Sequence, residues 1–365
     1  MTTGVVIERA TAADDAAIRA LLRASSVPGE VTLSFRREPA YRSGDTVLGH
    51  EAVTLVARDS GSVVAVASAA LREVHLHGVV TTVAYLSGVR VAASHQGRML
   101  VARGLATMRA LLRERGVPGA LAAITLGNRA AERLLIERPA RDASGFTPIA
   151  ALRTLVFPAA QAWPVARRPA HGVRVERADD AAAVLAFMAR HGPRRELFPV
   201  VRDEHLRGAL PGLSLDDVLV ARSDGGIVGT LAAWDQSAVR QTVVVGYGQR
   251  LRRLKPLLDL ARRARGALAL PAEGDALHTH YGTWLCVRDD DDAVARALLR
   301  AAVRRAADAR AHVLTLTLAE TDPLLAPLAR LRHVAYRSRL TVLPLADRGF
   351  AQRLEGTVHV DAGRL

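Results

Sequence analysis

The chain repeats itself. Ile7-Glu8-Arg9-Ala10 returns as Val175-Glu176-Arg177-Ala178, and Leu55-Val56-Ala57-Arg58 followed by Gly61-Ser62-Val63-Val64 returns as Leu219-Val220-Ala221-Arg222 followed by Gly225-Gly226-Ile227-Val228. Val89-Arg90-Val91 then corresponds to Leu285-Cys286-Val287-Arg288, and the 121–126 stretch to Val313–Leu318. The offset grows from 168 at Glu8/Glu176 to 196 at Val89/Leu285, so the second copy carries an insertion, placed at about 236–275. Duplication of one α/β unit is the economical explanation. It predicts a first unit at residues 1–157, a linker at 158–171 with three prolines and no period, and a second unit at 172–365. Each unit is long enough to bury its own core.

Within the first unit the stretch 83–106 carries the chemistry. A β-branched run (Val83, Val89, Val91) breaks at 92–94, a turn His95-Gln96-Gly97-Arg98 follows, and a helical pattern opens at Met99 and continues through Leu105, Met108, Leu111 and Leu112. Strand, turn and helix N-terminus together offer free backbone N–H groups and the positive end of a helix dipole to an anion such as a pyrophosphate. Glycine at 97 lets the backbone approach a ligand closely. A second strand, 121–126, precedes Gly127-Asn128-Arg129-Ala130-Ala131-Glu132-Arg133-Leu134-Leu135, expected as a helix over 128–137, and then Gly145-Phe146.

These two elements, in this order and spacing, resemble the GNAT superfamily of N-acetyltransferases, and the wording YLSGVRV, HQGR and GNRAAERLL is similar to a bacterial group with two such domains in tandem. The resemblance implies an α/β (α+β) fold, two tandem GNAT-like domains, each a mixed, mostly antiparallel sheet flanked by helices. It implies acyl transfer from acetyl-CoA or another acyl-CoA to a small-molecule or protein amine. Backbone groups of Val89 and Val91 would pair with the pantetheine arm. The N–H groups of Gln96, Gly97, Arg98, Met99, Leu100 and Val101 would cradle the pyrophosphate, and Asn128 would bond the pantetheine. Arg98 and Arg103 would neutralise phosphate charge. The sequence departs from the family pattern at Met99 and Val101, where glycine or a small residue is usual. It departs again at Leu135, where the proton-donating tyrosine is usual, and on the central strand, which has no glutamate. Tyr85 and Glu73 are the remaining acid–base candidates taken forward, with His77, Tyr281 and His280 behind them. Proton transfer through water would remove the need for a dedicated base. A non-catalytic ligand-sensing or partner-binding protein, and an aminoacyl transferase drawing on tRNA, are the alternative readings.

In the second unit the corresponding turn reads Arg288-Asp289-Asp290-Asp291-Asp292. Four carboxylates favour a helix start and repel a pyrophosphate, so that unit is expected not to bind CoA. Its insertion holds Leu251–Arg265, with leucines at 251, 254, 257, 258 and 260 and seven basic residues in and beside it, expected as an amphipathic helix with a solvated arginine face or as a surface for an acidic substrate or partner.

The formal charge of +14 divides as 21 basic and 13 acidic groups in residues 1–168 and 29 and 23 in 169–365. Spread this evenly, with Lys255 the only lysine and no basic tail, it does not single out nucleic acid as a partner. No apolar run reaches a membrane span and no secretory signal is visible, so a cytoplasmic protein without a membrane partner is expected. The single Cys286 lies in an apolar strand pattern and excludes an internal disulfide. His75/His77 and His278/His280 would each project from one strand face. No accompanying carboxylates or cysteines make a metal site, and none is expected.

Overall fold

A computed structural model describes residues 4–97, 99–132, 145–160, 172–345, 348–350, 354 and 356–365. The first half runs β1 (Val6–Arg9), α1 (Asp15–Ala24), β2 (Val31–Arg36), α2 (Asp45–Leu48), β3 (Glu51–Asp59), β4 (Ser62–Leu76), β5 (Val79–Val91), α3 (Leu100–Glu114), β6 (Gly119–Thr125), α4 (Arg129–Glu132) and β7 (Thr147–Pro158). The second runs β8 (Arg174–Arg177), α5 (Ala181–His191), β9 (Val218–Ser223), β10 (Gly226–Asp235), β11 (Gln241–Tyr247), α6 (Gln249–Arg263), β12 (Thr279–Val287), α7 (Asp292–Asp308), β13 (Val313–Ala319), α8 (Leu325–Leu328) and β14 (Val334–Pro344). The sequence dictates these elements locally. The Asp14 carboxylate accepts from the Thr11 amide at 2.7 Å and turns the chain into α1, which buries Ile18, Leu21 and Leu22 on one face. Ser60 and Gly61 take the positive φ values of 49° and 83° that a tight β3–β4 hairpin needs.

Twelve of the described strands form one sheet, in the order β1-β3-β4-β5-β6-β14-β7-β13-β12-β10-β9-β8. The pairs β5–β6 and β12–β13 are parallel, and all others are antiparallel. The order reads the same from either edge when β1 is matched with β8, β3 with β9, β4 with β10, β5 with β12, β6 with β13 and β7 with β14. The last strand of each half is inserted beside the other half: β14 pairs with β6 and β7 with β13, while β7 and β14 pair with each other. The expected mixed, mostly antiparallel sheet is present, and it is continuous across both halves. Helix α7 lies over the second half, packing Val294, Leu298, Ala302 and Val303 into a core with Leu231, Leu285 and Leu314. Helix α3 packs Met108 and Leu112 against Val53, Leu71 and Ala84 in the first half.

The insertion expected at about 236–275 contains β11 and α6, and β11 pairs with β2 in a separate two-stranded sheet. Three expectations need correction. His77 is not on a strand; it sits at φ 49° in the β4–β5 turn, where Gly78 follows, so it shares no strand face with His75. His278 precedes β12 and stacks its ring on that of His312 at 5.6 Å. Helix α6 turns Leu254, Leu257, Leu258 and Leu260 outward and keeps only Leu251 half-buried, because its inner face is held by polar bonds described below. The helix expected over 128–137 is α4 as far as Glu132, and residues 133–137 lie outside the described residues, as do Arg98 and linker residues 161–171.

Candidate active site at the splayed parallel strands

Parallel strands β5 and β6 share only two ladder positions, Ala84↔Ala120 and Tyr85↔Leu121, although β5 continues to Val91 and β6 to Thr125. Gly88 causes the divergence: at φ 68° it accompanies a register shift against β4 between Val66 and Ser68, and a bulge bends the strand that carries it. Among the described residues no strand pairs with β5 on that side beyond Tyr85. The result is a V-shaped slot lined by backbone. Because the two strands run parallel, the segments after both lie on the same edge of the sheet: 92–97 and 99 before α3, and 126–128 before α4.

Among the described residues of the turn after β5, the Gln96 amide donates to the Ala93 carbonyl at 3.4 Å, while the amides of Gly97, Met99, Leu100 and Val101 have no partner. Residues 93–95 form one tight helical turn, His95 Nε2 lies 2.9 Å from Asp59 Oδ2, and Gly97 and Met99 both take positive φ (80° and 54°) before α3 begins at Leu100. No side chain caps α3. Gln96, Gly97 and Met99 are exposed, Val89 is exposed, Val91 and Val101 are half-buried, and Leu100 anchors the turn in the core. Val89 and Val91 thus lie on the end of β5, Gln96, Gly97 and Met99 in its turn, Leu100 and Val101 in the first turn of α3, and Asn128 just after β6. Asn128 Oδ1 accepts the Ala131 amide at 3.2 Å and so starts α4. Arg103 is committed elsewhere, donating to the Val5 carbonyl at 2.7 Å.

The matching slot in the second half is closed. Strands β12 and β13 pair at Thr279↔Val313, His280↔Leu314 and Tyr281↔Thr315 and then diverge. Trp284 sits at φ 57°, 196 residues after Gly88, beside a register shift in β10 between Thr230 and Ala232. Here the C-terminal segment 357–365 fills the V. The Trp284 amide donates to Asp361 Oδ1 at 3.1 Å, and the Gly363 carbonyl accepts from Gln236 Nε2 at 2.8 Å and from Arg240 at 2.6 Å. The Arg364 guanidinium lies 5.8 Å from the Trp234 ring centroid. Burial opposes the Asp361 charge, but His359, Arg364 and the Trp284 amide outweigh it and hold the carboxyl down at about 2. Two cavities of about 10 Å³ lie beside this segment, each room for a single water.

The acidic turn before α7 is occupied as well. Asp291 Oδ1 accepts the Ala293 and Val294 amides at 2.8 and 3.1 Å, which are the donors an anion would have used. Asp290 and Asp322 clamp Arg195 at 2.7 Å and at 2.9 and 3.0 Å.

Residues 26–124, which span β2 to β6 and so include the open slot and its turn, match the acetyltransferase (GNAT) domain model. No curated protein matches the sequence. In structure the chain is similar to Saccharomyces cerevisiae N-myristoyltransferase with bound myristoyl-CoA (12% identity, 94% of this chain, 83% of that one, TM-score 0.60). It is also similar to a GCN5-related N-acetyltransferase from Sphaerobacter thermophilus (13%, 93% and 96%, 0.55). A third likeness is to the GCN5-related glucosamine N-acetyltransferase region of a fungal multi-domain GH3 β-N-acetylglucosaminidase (13%, 93% and 38%, 0.65). The chain has the GNAT fold.

In this GNAT fold the two acid–base candidates are separated. The β4–β5 register pairs Ala70 with Tyr85 and Arg72 with Val83, so Tyr85 and Arg72 share a face, while Glu73, opposite Thr82, faces the other way. Tyr85 lies at the base of the open slot, buried, with the Arg72 guanidinium 4.6 Å from its ring centroid. Burial raises its pKa, against the pull of Arg72, Arg240 and the Ala123 amide beside its hydroxyl. Glu73 is paired with Arg202. Sequence reasoning missed Gly88, Arg72, Arg240 and the C-terminal segment. Of these only Gly88 left a signal, as a lone glycine inside a strand pattern. Cys286 is buried in β12 and burial pushes its thiol up to about 12. A thiol-specific reagent at pH 8 is therefore expected to modify the native protein at least about a hundredfold more slowly than the urea-unfolded chain.

Proposed function

We propose that this protein is an acyl-CoA-dependent N-acyltransferase whose donor site is the β5–β6 slot of residues 1–157, with acetyl-CoA the first donor to try. Residues 172–365 form a second unit of the same design that does not bind CoA. The observation that carries the reading is the contrast between the slots: among the described residues one is unpaired beyond Tyr85 and ends at the Gly97, Met99, Leu100 and Val101 amides, which have no partner, while the other is filled by residues 357–365 and ends at Asp291.

The chemistry asks little of the side chains. Backbone groups at Val89 and Val91 hold the pantetheine arm, the 96–101 turn holds the pyrophosphate, and Asn128 keeps its side-chain amide available as a donor. The amine nitrogen attacks the thioester carbonyl, the C–S bond breaks, and the amine proton leaves to water. The departing thiolate needs a proton at the base of the slot. We assign that proton to the Tyr85 phenol, which is protonated at neutral pH. Glu73, on the opposite face, takes no part in that step.

The test is thermal unfolding of the full chain with and without acetyl-CoA, followed by thiol release on an amine panel. Ligand at 100 times its Kd adds about 2.7 kcal/mol, a rise of several degrees. A rise, together with thiol release that falls about tenfold or more in Tyr85→Phe, supports the reading. No rise with CoA esters of any chain length sinks it.

A further inference from the structure

Helix α6 is inverted. Apart from Leu251, its inward residues are polar: Lys255 Nζ donates to Asp259 Oδ2 at 2.8 Å and to the Leu270 carbonyl at 2.9 Å, and Asp259 Oδ1 accepts the Leu270 amide at 2.7 Å. Arg262 donates to the carbonyls of Leu268 at 2.6 Å and His312 at 3.0 Å. These bonds fix one face of the helix to the body. No α6 residue is buried, and the leucines face solvent: Leu254 is 44% exposed, Leu257 67%, Leu258 37% and Leu260 67%.

The i, i+3 and i, i+4 spacings stack Leu254, Leu257, Leu258 and Ala261 into one stripe. Arg250 lies one turn before this stripe, Arg265 one turn after it, and Arg253 flanks it beside Leu257 and Leu260. Among the described residues no carboxylate pairs with these three arginines. From 249 to 265 there are seven basic residues and one acidic one, Asp259, which Lys255 already engages.

We infer that α6 lies on an anionic lipid surface, its leucines entering the acyl boundary and Arg250, Arg253 and Arg265 meeting the phosphate headgroups. Charge complementarity selects this occupant. A second copy of the chain would bring arginine against arginine. A nucleic acid would satisfy the arginines and leave the leucines in water. An interfacial helix needs both halves of the pattern, an apolar stripe and a basic rim, and α6 presents both while its own fold holds it in that orientation. No described helix is long and apolar enough to cross a membrane, so the attachment is peripheral. The inference is independent of the acyltransferase reading.

The experiment is co-sedimentation of the full chain with vesicles of phosphatidylcholine alone or with about a third phosphatidylglycerol, at two salt concentrations. The expected result is binding to the anionic vesicles, weakened by salt. In Leu254→Ser/Leu257→Ser it falls about tenfold or more with unchanged thermal unfolding. In Arg250→Gln/Arg253→Gln the preference for phosphatidylglycerol is lost. Three results overturn the inference: no sedimentation of the parent protein with anionic vesicles; binding that survives the leucine substitutions, which would mean that the overall charge acts alone; or a dimer in solution that Leu257→Ser dissolves.

Discussion

Gly97→Glu abolishes the stabilisation by acetyl-CoA while leaving the free protein folded. A Cβ at 97 meets nothing within 4 Å, so the glutamate has room, and the cost to the unliganded protein is that of a non-glycine residue at φ 80°, about 1–2 kcal/mol. The carboxylate stands among the 96–101 amides, where the pyrophosphate belongs, and takes its place at the start of α3. The several-degree rise expected for the parent chain should vanish. Gly97→Asn separates the two effects, because asparagine tolerates the left-handed region and brings no charge; it should keep most of the rise. Calorimetric titration of both variants is the check. A Gly97→Glu protein that still binds acetyl-CoA as the parent does would move the donor site away from this turn.

Arg195→Leu destabilises the chain by about 3–5 kcal/mol, the effect of stranding one member of a buried ion pair. Arg195 and Asp322 are 7% and 5% exposed and meet through two hydrogen bonds, at 2.9 and 3.0 Å, with Asp290 adding a third at 2.7 Å. Burial works against the Arg195 charge, and its two carboxylate partners more than compensate. Without the guanidinium, Asp322 remains buried in the β13–α8 loop with the Leu324 amide at 2.9 Å as its remaining partner among the described residues. Arg195→Leu/Asp322→Leu should recover more than half of the loss, since replacing both partners removes the uncompensated charge. Urea unfolding measures all three. A single-variant loss below about 1 kcal/mol would mean that the pair is solvated in solution.

Much of this was readable from residues alone. The repeat located both slots, and its offset of 196 at Val89/Leu285 also relates Gly88 to Trp284, the two bulges that open them. The turn at 96–101 was legible because glycine and a following helical period are local signals. The filling of the second slot was not, because 357–365 has no periodicity and its hold on Trp284 spans 77 residues. The outward face of α6 was also hidden. A hydrophobic stripe shows that a helix is two-sided, but which side turns inward depended on Lys255 and Asp259 satisfying each other and on carbonyls from 268, 270 and 312. The exchange of β7 and β14 left no trace either, since either strand pattern suits either neighbour.

That exchange sets a schedule for biosynthesis. Strand β6 is complete at residue 125, but its partner β14 begins at residue 334, more than two hundred residues later. At ribosomal rates of about 5–20 residues per second, the first half waits roughly 10–40 s with the edge of β6 uncovered. Over that interval the nascent chain exposes an apolar strand edge beside its own ribosome, which makes it a natural client for chaperones that shield such edges until the last strand arrives.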